Sequence, residues 1–123
     1  LVAMDVDDFK PINDRYGHGV GDQTLIRVVE HLEACVRKSD LLARWGGDEF
    51  MVVLPKSSLD TAKELAERIR HKIKEAAPLG ALNVTLSLGV VERRMGESPA
   101  ALMARADQAL YRSKAAGKDG VSE

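Results

Sequence analysis

The sequence has little of what marks several large classes of protein. It contains a single cysteine among 123 residues, which excludes an internal disulfide and favours a reducing compartment such as the cytoplasm. It has no apolar run close to the roughly 20 residues that a membrane-spanning helix needs. Its 18 basic and 19 acidic residues give a formal net charge of −1, so there is no broad basic field for binding nucleic acid. We therefore expect no nucleic acid partner and no direct contact with a membrane.

What the sequence does contain is enough apolar material for one hydrophobic core. Apolar residues make up 45% of the chain, and its length is typical of one domain. We expect residues 1–123 to form a single domain. Cys35 lies within an apolar helical pattern and is interpreted as core filler. The chain starts inside an apolar run, Leu1 to Met4, with no cap or polar residues before it, so we expect an N-terminal truncation.

Hydrophobic periodicity predicts strands and helices in alternation. The first predicted elements are a strand at 1–6, a short helix capped by Asp8 and ended by Gly17, and a longer helix from Asp22 to about residue 37. Strands follow at 41–45 and 50–54, and then a helix that starts at Ser58 or Asp60 and is broken by Pro78 and Gly80. The last elements are a strand at 84–91 and a helix that Ser98 and Pro99 open and Gly117 ends. This order predicts an α+β (α/β two-layer) fold with helices packed on a central sheet that contains antiparallel strands.

Gly46 and Gly47 separate the two central strands and predict a tight hairpin, because such turns need positive φ, which glycine adopts without a Cβ clash. Asp48 and Glu49 follow directly. Adjacent acids beside a turn without side chains indicate a place where a charged ligand or a metal approaches the backbone.

A second glycine-rich stretch, residues 17–21, precedes the longer helix, and Asp22 is placed to cap that helix. The stretch matches neither the P-loop nor the dinucleotide-binding fingerprint. By itself it is equally compatible with a flexible connector between helices.

The succession of elements contains the β-α-β-β-α-β order of the ferredoxin-like arrangement. In that arrangement the second strand of the hairpin lies between the first two strands and runs antiparallel to both. Asp48 and Glu49 would then lie beside Asp5 and Asp7, and three or four carboxylates would converge. Left unpaired, they would repel one another at a cost of about 1 kcal/mol for each close pair.

Oxygen ligands without His or Cys favour Mg²⁺ or Mn²⁺ over Zn²⁺, and Mg²⁺ fills its shell with waters and substrate phosphates. The acidic cluster therefore indicates a nucleoside triphosphate site. The alternative is a sheet end whose acids are simply solvated.

The residues that carry these patterns resemble the GGDEF domain, or diguanylate cyclase, family over nearly the whole chain. The matching stretches are 5–10, 12–14, 16–18, 21–22, 44–50, 87–90 and 106–111. The resemblance implies a palm-like fold related to those of nucleotide cyclases and polymerases, which agrees with the predicted topology.

The resemblance also implies a reaction. Two GTP molecules, one on each subunit of a homodimer, would be joined into cyclic di-GMP with release of two pyrophosphates. Two Mg²⁺ or Mn²⁺ ions per site would be held by Asp5, the backbone carbonyl of Val6, and Asp48. Glu49 would assist at the metal or at the attacking 3′-hydroxyl.

The same resemblance assigns residues that hold the substrate. Asn13 and Asp22 would read guanine, since a carboxylate accepts from guanine N1–H and the 2-amino group, and Leu25 would floor the pocket. The residues implied for the ribose and phosphates are Phe9, Lys10, Gly46, Gly47, Lys114 and Lys118. The last two lysines are expected to project from the closing helix.

Arg37 and Asp40 match the RxxD site through which cyclic di-GMP inhibits members of this family. Arg68 or Arg70 on the next helix would supply a further contact, and the sequence does not choose between them.

Two other functions stay open at this point. The chain could be a non-catalytic receptor for cyclic di-GMP or GTP, or a domain that only dimerises. The GGDEF family usually carries a leading helical segment that this sequence lacks, together with an upstream sensor or dimerisation module. The resemblance therefore implies a cytoplasmic protein, or the cytoplasmic domain of a membrane-bound sensor.

Overall fold

The computed structural model describes residues 1–76 and 83–123, so the helix-breaking residues Pro78 and Gly80 lie outside the described part of the chain. The elements are β1 (Val2–Val6), α1 (Phe9–Tyr16), α2 (His18–Cys35), β2 (Leu41–Arg44), β3 (Glu49–Val53), α3 (Leu59–Glu75), β4 (Leu86–Val90), α4 (Pro99–Ala115) and β5 (Gly120–Ser122). Among these described elements, no helix is both long and apolar enough to cross a membrane.

The sheet has the strand order β2-β3-β1-β4-β5. As predicted, β3 lies between β2 and β1 and runs antiparallel to both. In this register Asp5 lies directly opposite Glu49. The beginning of β3 therefore meets the end of β1, which is what the proposed acidic cluster requires.

The fifth strand was not predicted. β5 is three residues long and pairs in parallel with β4, with Ser87 opposite Gly120. Its sequence is too short to show a period of two, and it follows the end of α4 after only a few residues. The strand forms because the turn after α4 brings the chain back beside β4.

The N-terminal half of α2 also differs from the prediction. The helix begins at His18, so most of the glycine-rich stretch is helical and Asp22 lies inside the helix instead of capping it. Gly17 occupies the cap position with φ of 89°, ends α1 and starts α2. Asp8 does precede α1, but its side chain makes no capping hydrogen bond. Asp22 is therefore not needed to satisfy the helix terminus.

Helices cover both faces of the sheet and confirm the α+β class. On one face, alternate residues of β1, β3 and β4 pack against α2 and α3. The buried members are Val2, Met4, Val6, Phe50, Val52, Leu86, Leu88 and Val90 from the strands, and Leu25, Val28, Leu32, Cys35, Ala62, Leu65, Ala66, Ile69 and Ile73 from the helices. On the other face, Ala3, Met51 and Val91 pack against α4. Cys35 is core filler, as predicted.

The starts of the two later helices agree with the prediction. The Ser58 side chain accepts a hydrogen bond from the Thr61 N–H at 3.2 Å, and the Ser98 side chain accepts one from the Ala101 N–H at 3.2 Å. Pro99 occupies the first helical position of α4, where its missing N–H costs nothing.

Gly89 sets how closely α4 approaches β4. A Cβ at this position would lie 2.3 Å from the backbone nitrogen of Leu110 and 2.7 Å from the carbonyl oxygen of Ala106. Neither backbone atom can move without shifting the helix. The approach of α4 to the sheet is therefore possible only with glycine at position 89.

Gly89→Ala is expected to lower the free energy of unfolding by about 3 kcal/mol, because the added methyl group overpacks the interface between α4 and β4. Chemical denaturation followed by circular dichroism measures this loss. Gly19→Ala is the control, since a Cβ there meets no atom within 4 Å and the position is helical. Equal stability of the two variants would contradict the steric argument.

Candidate active site

The carboxylates of Asp5 and Asp48 meet where β1 ends and β3 begins. The Val6 N–H donates to the Asp48 carbonyl at 3.1 Å, which joins the two strand ends. The Asp48 carboxyl lies close enough to Asp5 to raise the pKa of the Asp5 carboxyl. Glu49 is cross-strand to Asp5 and half-buried. The predicted approach of the two acidic segments is confirmed.

The environment of Asp5 disfavours its charge. Burial raises the pKa of Asp5 to about 6, and the neighbouring Asp48 acts in the same direction. The Lys114 ammonium opposes both, since its Nζ lies 2.6 Å from Asp5 Oδ2. The pair of carboxylates therefore lies in a setting where added positive charge is favourable.

Asp7 does not join this pair, contrary to the prediction. Its carboxylate is buried and accepts hydrogen bonds from the Thr85 hydroxyl at 2.7 Å, the Ser87 hydroxyl at 2.6 Å and the Asp119 N–H at 3.0 Å. It therefore ties the end of β1 to β4 and to the segment after α4. Within residues 1–76 and 83–123, no three His, Cys, Asp or Glu side chains are grouped as a metal site would require.

The donor set at the strand ends nevertheless fits a hard divalent cation. Asp5 and Asp48 supply two carboxylates, and the adjoining main chain supplies carbonyl oxygens. Mg²⁺ typically takes one or two protein carboxylates and completes its shell with waters and phosphate oxygens. A cation held between the two carboxylates would offset both the burial and the neighbouring Asp48 that raise the pKa of Asp5.

The glycine turn differs from the prediction in its dihedral angles. Neither Gly46 nor Gly47 has a positive φ, so the turn does not need glycine for its backbone conformation. A Cβ at Gly47 would meet no atom within 4 Å, so the surface beside the turn is open.

Arg44 holds this turn, a role that the sequence did not reveal. Its guanidinium donates to the Gly46 carbonyl at 3.1 Å and to the Gly47 carbonyl at 2.6 Å. An arginine two residues before two glycines is a usable signal, because its fork of N–H groups matches adjacent carbonyl oxygens.

Asn13 carries a buried oxygen without a partner. Its Oδ1 has no hydrogen bond within the described residues. Gly21 makes room for it, since a Cβ there would lie 1.7 Å from Asn13 Oδ1 and 3.3 Å from Phe9 Cζ. An unpaired buried acceptor is costly, so this amide is suited to receive a donor from a ligand.

A cavity of about 530 Å³ opens beside Asp22 and Leu25, two of the predicted guanine-binding residues. The other lining residues are Ile26, Val29, Glu30, Arg44 and Phe50. Of these, Ile26 is 51% exposed although it is a large apolar residue of α2. Asn13 is not among the lining residues, so the structure brings Asp22 and Leu25 together at one cavity and leaves Asn13 beside Gly21.

The three predicted phosphate-binding lysines differ in their surroundings. Lys10 is exposed on α1. Lys114 lies on α4 and contacts Asp5, whereas Lys118 contacts Asp8. Lys118 does not project from the closing helix as predicted, because α4 ends at Ala115 and Lys118 follows in a left-handed conformation with φ of 64°.

The predicted RxxD residues, Arg37 and Asp40, are paired with each other. The Arg37 Nη2 donates to Asp40 Oδ1 at 3.0 Å and to the Ser57 hydroxyl at 2.9 Å. The hydrogen bond from Arg37 lowers the pKa of Asp40. Arg68 lines the same surface pocket as Arg37 and Asp40, and its guanidinium donates to the Cys35 carbonyl at 3.2 Å.

Arg70, the alternative to Arg68, points elsewhere. Its guanidinium pairs with Asp119 at 2.9 Å and with Glu67 at 3.0 Å. Ser57 was missed by sequence reasoning, because its contact with Arg37 spans 20 residues and depends on the fold.

Comparison with known proteins identifies relatives of the whole chain. Residues 1–120 match the family described as diguanylate cyclase, GGDEF domain. The chain is 46% identical over 121 residues to the diguanylate cyclase DgcM of Escherichia coli K12, covering 98% of this chain and 30% of the relative. It is 41% identical over 126 residues to the response regulator PleD of Caulobacter vibrioides, covering 98% of this chain and 28% of the relative. The chain thus spans less than a third of either curated relative.

Solved structures agree with this match. The structure is similar to that of the diguanylate cyclase SiaD of Pseudomonas aeruginosa in complex with its activator SiaC, with a TM-score of 0.91 and 40% identity over 98% of this chain and 47% of that one. It is also similar to the GGDEF domain of DgcB from Caulobacter crescentus in complex with c-di-GMP, with a TM-score of 0.91 and 32% identity over 98% of this chain and 74% of that one.

Asp5→Asn is expected to raise the thermal stability in cation-free buffer more at pH 7.5 than at pH 5. A carboxyl whose pKa rises on folding, here from 3.8 to about 6, stabilises the folded state below its unfolded pKa, and this contribution is lost as the pH rises through about 6. Asparagine has no charge to desolvate at either pH. Differential scanning calorimetry at both pH values measures the effect.

Asp60→Asn on the exposed first turn of α3 is the control for this measurement. Added Mg²⁺ should raise the melting temperature of the wild type more at pH 7.5 than at pH 5 and should have little effect on Asp5→Asn. If the melting temperatures of Asp5→Asn and the wild type differ by the same amount at both pH values, the folded state does not hinder ionisation of Asp5, and the argument fails.

Proposed function

The chain belongs to the GGDEF domain family of diguanylate cyclases, and we propose that it joins two molecules of GTP into cyclic di-GMP with release of two pyrophosphates. The observation that carries the proposal is the meeting of Asp5 and Asp48 at the joined ends of β1 and β3, beside an open glycine turn. In this proposal residues 1–123 act as one GGDEF domain.

Asp5, Asp48 and the backbone carbonyl of Val6 would hold the divalent cations, Mg²⁺ or Mn²⁺, two in each site when substrate is bound. When bound, the cations would neutralise the charge that builds on the phosphates, and they would activate the 3′-hydroxyl. The ordered strand ends fix the spacing of these oxygen donors. Glu49, cross-strand to Asp5, lies where it could accept the proton of the attacking hydroxyl or support the metal site.

Guanine would be read by Asn13 and Asp22. The buried Oδ1 of Asn13 needs a donor, and the exposed carboxylate of Asp22 accepts two, which matches the N1–H and 2-amino group of guanine. Leu25 lines the cavity beside Asp22 and would provide an apolar floor for the base. Adenine presents no such pair of donors, so this arrangement selects GTP over ATP.

The triphosphate would lie between the glycine turn and the lysines. The open surface at Gly47 would allow the ribose and α-phosphate to approach the backbone, and the three atoms nearest to a Cβ built at Gly46 all belong to the Glu49 side chain. Lys114 and Lys118 lie at the same end of the sheet, and the exposed Lys10 follows Phe9 at the start of α1. The ammonium groups of these three lysines would hold the leaving pyrophosphate.

Two chains are needed, because each 3′-hydroxyl attacks the α-phosphate of the other GTP. We propose a homodimer in which the two sites face one another, arranged by a sensor or dimerisation module elsewhere in the full-length protein. The relative SiaD was solved with an activator protein, which supports control of this domain by a partner. Synthesis would take place in the cytoplasm, where GTP is available.

The full-length protein, held as a dimer, is expected to convert two GTP into cyclic di-GMP and two pyrophosphates in the presence of Mg²⁺. Asp48→Asn is expected to lower this rate at least about a hundredfold, because charge is lost at the proposed metal site. Liquid chromatography of the nucleotides measures both products. Asp60→Asn, an exposed acid on α3, should keep the wild-type rate. If GTP binds but no cyclic di-GMP forms, the enzyme proposal fails and a receptor function takes its place.

We further propose that the product inhibits through Arg37, Asp40 and Arg68, which lie around one pocket away from the strand ends. The exposed Arg37 guanidinium can contact the phosphates and guanine of cyclic di-GMP, and Asp40 can accept from guanine N–H groups. Binding there would hold the domains in an arrangement that does not bring the two sites together. The c-di-GMP complex of the DgcB domain is consistent with product recognition in this family.

Arg37→Ala is expected to leave the initial rate unchanged and to weaken product inhibition by about tenfold or more, since a charged hydrogen-bonding group is lost from the pocket. Progress curves with added cyclic di-GMP measure the inhibition constant. Lys38→Ala, at the exposed neighbouring position, is the control. Inhibition of equal strength in Arg37→Ala would remove this pocket from the proposal.

A further inference from the structure

The segment after α4 contains two consecutive non-glycine residues with left-handed backbone. Lys118 has a φ of 64° and Asp119 a φ of 43°. The Lys118 N–H donates to the Ser113 carbonyl at 3.0 Å and closes the turn at the end of the helix. Side chains with a Cβ adopt this conformation at a cost, and two in succession persist only where surrounding contacts hold them.

Asp119 supplies those contacts. Its Oδ1 lies 2.9 Å from Arg70 Nη1 and its Oδ2 lies 2.6 Å from Lys74 Nζ, so both carboxylate oxygens are paired with α3. Its N–H donates to Asp7 Oδ2 at 3.0 Å. Burial opposes ionisation of Asp119, but the pairs with Lys74 and Arg70 outweigh it and lower the pKa of this carboxyl.

The turn that Asp119 anchors carries Lys118 to the end of β1. Lys118 contacts Asp8, two residues after Val6, and Asp7 between them is the acceptor of the Asp119 N–H. One residue therefore connects α3, the turn after α4 and the acidic end of β1. The exposed fraction of the Arg70 side chain is only 16%, so this anchor is partly shielded from solvent.

We propose that Asp119 is a positioning residue for the triphosphate: held by Arg70 and Lys74, it fixes the left-handed turn that places Lys118 beside the substrate. The inference rests on the proposed function, because it takes Lys118 as a phosphate contact. Asp119 itself does not touch the substrate. Its effect on binding must therefore pass through Lys118.

The test is a double-mutant cycle with Asp119→Asn and Lys118→Gln in the full-length protein. The ligand is α,β-methylene-GTP, in which the link between the α- and β-phosphorus atoms cannot be cleaved. Its affinity is measured by calorimetry in the presence of Mg²⁺. Asp119→Asn is expected to weaken binding about fivefold in the wild-type background, in line with loss of a partly shielded ion pair. In the Lys118→Gln background the same change is expected to have less than about a twofold effect.

Lys63→Gln is the matched control, because Lys63 also lies on α3 and pairs with an acidic residue near the sheet edge, Glu123. It should not change the affinity. If Asp119→Asn does not fold, Arg70→Gln removes one of the two partners of the same carboxylate and is expected to follow the same cycle with Lys118→Gln.

An unchanged affinity in Asp119→Asn would overturn the inference. Equal weakening in both backgrounds would also overturn it, since Asp119 would then act on the whole fold. If the wild-type protein does not bind the analogue, both the proposed function and this inference fail. The two outcomes above contradict the inference alone, so the two kinds of failure can be told apart.

Discussion

The antiparallel register of β1 and β3 is the constraint on which the candidate site depends. It sets Asp5 opposite Glu49 and joins Val6 to Asp48 through a backbone hydrogen bond. A slip of one residue would turn every side chain of β1 to the other face of the sheet and separate the acids. The register is held by the core itself, since Val2, Met4 and Val6 must face α2 and α3. Hydrophobic burial thus enforces a juxtaposition of like charges that those charges would oppose.

The acidic end of β1 is held in place from several directions. Asp7 accepts three hydrogen bonds, from the hydroxyls of Thr85 and Ser87 and from the N–H of Asp119. Lys114 reaches Asp5 from α4. The two nearby carboxylates therefore differ: Asp7, just after β1, is held by three hydrogen bonds within the fold, whereas Asp5, in β1, pairs with the Lys114 side chain. The difference lies in their partners, because both are almost fully buried.

Much of the fold could be predicted because the signals are local. The presence of α3 and α4, their caps at Ser58 and Ser98, and the position of β3 between β2 and β1 follow from hydrophobic period, capping chemistry and topology, and the structure confirms them. The remaining features depend on contacts that the sequence does not display. Asp22 lies inside α2 because the glycine-rich stretch adopts helix, and β5 exists only because the turn after α4 returns to β4. The distinction between Arg68 and Arg70 required their partners on other elements.

The contact of α4 with the sheet at Gly89 has a mechanical consequence. With helix backbone seated directly on strand backbone and the Ser113 hydroxyl bonded to the Leu88 carbonyl at 2.6 Å, α4 has no slack to slide along β4. The helix and the strand must move as one stiff body. Beside this rigid contact, Lys114 can move through its side chain alone, whereas Lys118 lies in the short turn beyond Ala115. A force applied to α4 is therefore passed directly to β4 and the rest of the sheet instead of deforming the space between them.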